Sequence, residues 1–155
     1  MGTQATKSRI RGVAVVATIA IAMVAFGAAS ATASLEGKKK GTPVLIEVGD
    51  TAGTKAAMTM TVSPASVAAG KVTFTVTNSG TVIHEMVILK TDTPYDQIPI
   101  VKNKISESSS VGEIGDIGKG KTKSGTFKLK AGNYVLVCNV SKHYGLGMRA
   151  AFTVT

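Results

Sequence analysis

Residues 131–148 read Ala131-Gly-Asn-Tyr-Val-Leu-Val-Cys138-Asn-Val-Ser-Lys-His143-Tyr-Gly-Leu-Gly-Met148, and the fold is decided here. The first half is a strand entered through a Gly-Asn turn. Tyr134, Leu136 and Cys138 fall on one face, Val135 and Val137 on the other. The second half is a short Gly-bearing loop, after which Arg149 to Val154 forms another strand. Cys138 is the only cysteine of the chain, and His143 and Met148 follow it at equal intervals, a C-x4-H-x4-M spacing. A thiolate, an imidazole and a thioether therefore come from one tight loop, and the only other histidine is His84.

Taken singly, each of these residues has an ordinary structural role: a buried cysteine fills space, a strand histidine is hydrogen-bonded in the core, a methionine packs. Taken together they use up every cysteine and histidine of the chain in one pattern. Two imidazoles, one thiolate and a weak thioether make the donor set of an electron-transfer copper site, because soft sulfur stabilises Cu(I) and imidazole suits both oxidation states. Zinc would more usually draw on further cysteines or carboxylates.

Asn78-Ser-Gly-Thr-Val-Ile-His84, Ala131 to Cys138, the loop to Met148 and the final strand Arg149 to Val154 together resemble the cupredoxins, the blue-copper proteins that include plastocyanin, azurin, rusticyanin and sulfocyanin. The loop gaps of four residues are more like those of rusticyanin and sulfocyanin than of plastocyanin. The resemblance covers most of the chain after residue 42. It implies a Greek-key antiparallel β-sandwich holding one copper ion, with Cys138 as the thiolate, His84 and His143 as equatorial imidazoles and Met148 as a long axial contact.

At one point the pattern departs. Plastocyanin and azurin carry an Asn after the upstream histidine that helps tie the two ligand-bearing segments together; here Glu85 stands there, and Asn139 follows the cysteine. The expectation is that the Glu85 carboxylate accepts hydrogen bonds from Asn139 or nearby loop amides, restoring the tie with its polarity exchanged. The resemblance also implies that the loop histidine reaches the surface in an apolar patch, so that redox proteins dock near His143 and Tyr144.

Outside the loop, Lys7, Arg9 and Arg11, the apolar run from Val13 to Phe26 and the Ala31-Thr-Ala33 end read as a signal peptide over residues 1–33, or else as an uncleaved anchor. Residues 34–42 are a Ser/Gly/Lys linker and residues 43–155 the copper-binding domain. Without its first 33 residues the 155-residue chain keeps 15 basic and nine acidic residues, a net charge of +6. The lysines are scattered without interleaved aromatics, which argues against a nucleic-acid surface. A lone cysteine in an exported protein calls for an explanation, and metal ligation supplies one.

The remaining strands follow from alternation. Pro43 to Val48 is the first; Met58-Thr-Met60-Thr-Val62 and Val72-Thr-Phe74-Thr-Val76 are half-buried. Val82 to Leu89, nearly all apolar around His84 and Glu85, predicts a central strand covered on both faces. Thr91 to Ser110 reads as a long irregular connection. Strands resume near Val111 to Ile117 and Thr126 to Leu129. The predicted class is all-β, seven or eight strands after an N-terminal signal helix.

The expected function is that of an exported, periplasmic or extracellular, monomeric carrier of single electrons, tethered to the membrane only if the first segment stays uncleaved. It is not expected to be an enzyme, since both histidines are consumed as ligands. The alternative is a copper protein for storage, delivery or sensing.

Overall fold

A computed structural model describes residue 2 and residues 40–51 and 57–155. The expected signal helix and all but the last residues of the expected linker lie outside the described residues. Among the described residues there is no helix, and hence none long and apolar enough to cross a membrane.

Eight longer strands carry the fold: β1 (Thr42–Asp50), β2 (Met58–Ser63), β4 (Gly70–Asn78), β5 (His84–Lys90), β8 (Ser110–Ile117), β9 (Thr122–Leu129), β10 (Gly132–Val137) and β11 (Arg149–Val154). Three strands of two residues each, β3 (Ser66–Val67), β6 (Ile100–Val101) and β7 (Lys104–Ile105), complete the set among the described residues. One sheet runs β2-β1-β4-β9, the other β3-β11-β10-β5-β8, and β6 pairs with β7. Most pairs are antiparallel, but β1 lies parallel to β4, and β3 parallel to β11. This is the expected sandwich, with those two parallel pairs added.

Period-two patterning explains the first sheet. Val44, Ile46 and Val48 of β1, Met58 and Met60 of β2 and Val72, Phe74 and Val76 of β4 turn inward. The intervening threonines turn outward, where Thr73 meets Thr126 at 2.8 Å and Thr75 meets Ser124 at 3.0 Å across β4 and β9. Phe74 packs edge-on against Phe152 of β11, ring centres 5.3 Å apart, which joins the two sheets through the core.

β5 is buried on both faces, as its apolar run predicts, and lies between β10 and β8. Met86 and Ile88 enter the core between the sheets, whereas Val87 and Leu89 enter a second core with Val135, Val137, Ile105 and Tyr144. That second core accounts for residues 91–110, which are more ordered than their sequence suggests. Lys102 and Asn103, with φ of 49° and 67°, close a hairpin between β6 and β7. Ile98 and Ile105 bury their side chains beneath it. Ile98 and Ile105 are separated by the exposed Ile100 and Val101, so the buried positions follow no regular period and this layer was not readable from alternation.

Candidate metal centre

His84 opens β5, Cys138 directly follows β10, and His143 lies in the loop between β10 and β11. Backbone pairing carries the strands past each other so that these three meet at one end of the sandwich. The two Nδ1 atoms stand 3.2 Å apart, Cys138 Sγ lies 3.3 Å from His143 Nδ1 and 3.9 Å from His84 Nδ1. Donors bound trigonally to one ion at metal–donor distances of about 2.0–2.3 Å are separated by roughly 3.5–3.8 Å. The three observed separations bracket that range, and all three residues are buried.

Backbone hydrogen bonds within the loop help to shape it. His143 N–H donates to Val140 O at 2.9 Å, and His143 O accepts from Leu146 N–H and Met148 N–H, both at 3.1 Å. Cys138 N–H donates to Met148 O at 3.0 Å, which closes the loop's base. Gly147 has φ +110°, and a Cβ there would come 2.9 Å from Met58 O, so the glycine is required. Met148 is fully buried in the same core cluster as Cys138.

The protonation chemistry fits a soft metal. Burial pushes the Cys138 thiol up to about 11, against the opposing hydrogen bonds from the Glu85 and Val140 amides, the first with N···Sγ 3.4 Å. A thiolate at this place therefore calls for a cation beside it. Burial, and next the neighbouring His84, lower the basicity of His143, which leaves a neutral imidazole able to donate its lone pair.

Behind His84 stands a residue that the sequence reading passed over. His84 Nε2 lies 3.1 Å from Asp50 Oδ2, with both side chains sealed from solvent. Asp50 ends β1 and is itself gripped: Thr81 N–H and Val82 N–H donate to Oδ2 at 2.7 and 3.3 Å, and the Thr81 hydroxyl donates to Oδ1. A Cβ on Gly80 would come 2.1 Å from Asp50 Oδ2, so this approach of chain to carboxylate needs glycine. Asn78 fixes the preceding turn, donating to Val82 O at 2.8 Å and Ile117 O at 2.7 Å while accepting from Gly80 N–H. Burial alone would raise the Asp50 carboxyl, but hydrogen bonds from Thr81, Val82 and His84 outweigh it and hold the group well below the usual carboxylate range. The one local signal for Asp50 was an acid at the end of a strand whose inward face is apolar.

Between Glu85 and Asn139 the contact runs through the Asn139 backbone amide, not its side chain. The Asn139 side chain turns toward the second core, where its Oδ1 accepts from Ile105 N–H at 2.9 Å and its Nδ2 donates to Ile105 O at 3.1 Å and to Glu107. Its backbone amide is what faces the Glu85 carboxylate. Glu85 is half-buried; burial first, then Glu113 and Glu107, raise its carboxyl, opposed by Lys104 and that amide.

Tyr144 does not stand at the surface. It is 2% exposed, and His143 likewise 2%. Tyr144 belongs to the second core, its carbonyl accepts from Arg149 at 2.7 Å, and the Arg149 guanidinium lies 4.9 Å from its ring centre. The Tyr144 ring and the His143 imidazole thus lie beneath the surface rather than on it. The half-exposed Ile100 of the hairpin lies beside Gly145 and the partly buried Leu146.

A buried Cys-His-His cluster backed by a core methionine on a β-sandwich is the arrangement of a type 1 copper protein. A family model described as copper binding proteins, plastocyanin/azurin family, matches residues 47–155. The chain belongs to that family; its cofactor is copper, and the family's members are blue-copper electron-transfer proteins. No curated protein sequence matches the chain significantly. Among solved structures, it is similar to auracyanin B (18% identity, TM-score 0.52, 76% of this chain and 91% of that one). It is also similar to rusticyanin from Thiobacillus ferrooxidans (19% identity, TM-score 0.50, 75% and 79%). These likenesses show the fold.

Proposed function

We propose that this chain is an exported carrier of single electrons rather than an enzyme or a copper store. In this reading copper would be held by His84 Nδ1, Cys138 Sγ and His143 Nδ1, with the Met148 thioether as a fourth, weaker donor. The observation that carries it is the convergence of the three donor atoms within 4.8 Å of one another in a buried pocket. When bound, copper supplies a one-electron Cu(II)/Cu(I) couple. The protein's part is to hold donors that need not move between the two states. The loop's internal hydrogen bonds fix His143 and Met148, while β5 and the Asp50 contact fix His84. Apolar residues around the cluster exclude water and disfavour rearrangement.

Residues 1–33 are proposed as the signal peptide, or an anchor if uncleaved, with residues 34–42 as the linker and 43–155 as the working domain. The destination is the periplasm or the cell exterior, and the partners are redox proteins that dock beside the ligand loop. The visible spectrum tests the reading. Copper(II) added to the apo-protein should give an intense thiolate charge-transfer band that ascorbate bleaches reversibly without metal loss. Cys138→Ser should abolish the band; its survival would refute the ligand set, and loss of copper on reduction would favour storage or delivery.

A further inference from the structure

We infer that Asp50 is a positioning residue of the metal centre, selecting the Nε2–H tautomer of His84 so that Nδ1 faces the metal, and placing a buried negative charge that favours Cu(II) over Cu(I). This rests on the copper reading for its redox part only; the tautomer part concerns the protein alone.

The geometry is one-sided in a way a solvated acid is not. A carboxylate can only accept, so a neutral His84 meeting Asp50 Oδ2 at 3.1 Å carries its proton on Nε2. The lone pair is then on Nδ1, the atom that converges with Cys138 Sγ and His143 Nδ1. Asp50 cannot swing away, because Thr81 and Val82 hold it with two backbone amides and a hydroxyl. A ligating histidine whose other nitrogen donates to a carboxylate is fixed in tautomer and ring orientation, and is a stronger donor.

The charge count points the same way. Copper(II), one thiolate and two neutral imidazoles sum to +1; the sealed Asp50 carboxylate brings the buried assembly to zero. Reduction leaves it at −1. Net charge away from zero is costly where side chains are 0% exposed, so Asp50 stabilises the oxidised form.

Two variants test this. Asp50→Asn keeps the shape and removes the charge. Asp50→Ala removes both. With fold verified by circular dichroism, Asp50→Asn should lower the Cu(II)-to-Cu(I) affinity ratio by about tenfold or more, a rise in potential of about 59 mV per tenfold for one electron. Asp50→Ala should cost about 10–100-fold in copper affinity in competition with a chelator. In the metal-free protein, ¹⁵N NMR of His84 should show the Nε2–H tautomer in the unmodified chain and a mixture in Asp50→Ala. If Asp50→Ala fails to fold, Asp50→Asn and the NMR of the unmodified chain still decide. An unchanged potential in Asp50→Asn would overturn the electrostatic role, and an Nδ1–H tautomer in the unmodified chain would overturn the positioning role. If the unmodified chain gives no charge-transfer band, the copper reading fails while the NMR result still judges the Asp50–His84 contact.

Discussion

The phenol of Tyr144 accepts a hydrogen bond from Ile98 N–H at 2.9 Å and donates one to Tyr95 O at 3.0 Å. One side chain of the ligand loop thereby holds down the segment that leads into the β6–β7 hairpin. The contact is reciprocal, since Lys142 N–H donates to Asn103 O at 2.8 Å. Tyr144→Phe should leave the copper spectrum intact but destabilise the fold by about 1–3 kcal/mol, because a partly buried amide loses its acceptor. Hydrogen exchange at Ile98 should speed up more than exchange in β4; equal change in both would show that the phenol is not the clasp.

Met148→Leu should keep copper and raise the reduction potential, since removing a weak sulfur donor disfavours Cu(II). Voltammetry decides this, and an unchanged potential would remove Met148 from the proposed donor set.

Glu85 offers a charge close to the thiolate but outside the ligand set, its amide donating to Cys138 Sγ. Glu85→Gln should preserve the site and shift the potential upward by less than Asp50→Asn, because Glu85 is half-buried and screened by Lys104. Glu85→Ala should in addition speed copper release, through loss of the contact with the Asn139 amide. Wild-type potential and release rate in both variants would mean that only the Glu85 backbone matters.

Phe74 has no exposed surface and meets Phe152 and Phe127. Phe74→Ala should lower unfolding free energy by about 3–5 kcal/mol while the spectrum of the surviving folded protein stays unchanged. Denaturant melts of apo-protein measure the first part, and a shifted band would show that the core between the sheets reaches the site.

Removing copper should lower the melting temperature, since an ion that binds only the folded chain stabilises it by mass action, about 4 kcal/mol at a free concentration 1,000 times Kd. The gap between holo and apo melting should shrink in Asp50→Ala. Identical melting of holo and apo protein would mean that the fold gains nothing from the metal.

Periodicity and donor chemistry are local, and both were legible in the chain alone. Alternation in β2, β4 and β10 assigns each side chain to a face, because the strand repeat is two residues regardless of what the strand pairs with. The spacing Cys138-x4-His143-x4-Met148, with one histidine left over, names the candidate donors, since the chain has no other cysteine or histidine. What surrounds those donors depends on which chain ends the sheets bring together. Asp50 and His84 are 34 residues apart, and they meet because β1 lies parallel to β4 and ends at the turn that launches β5. The Asn139 side chain turned to Ile105 while its backbone amide met Glu85, and the Tyr144 phenol met Ile98, because the second core offered buried backbone groups that needed partners. Such demands arise only once tertiary packing has removed water. Residue pattern thus names the candidate ligands, and packing decides how they are oriented, charged and covered.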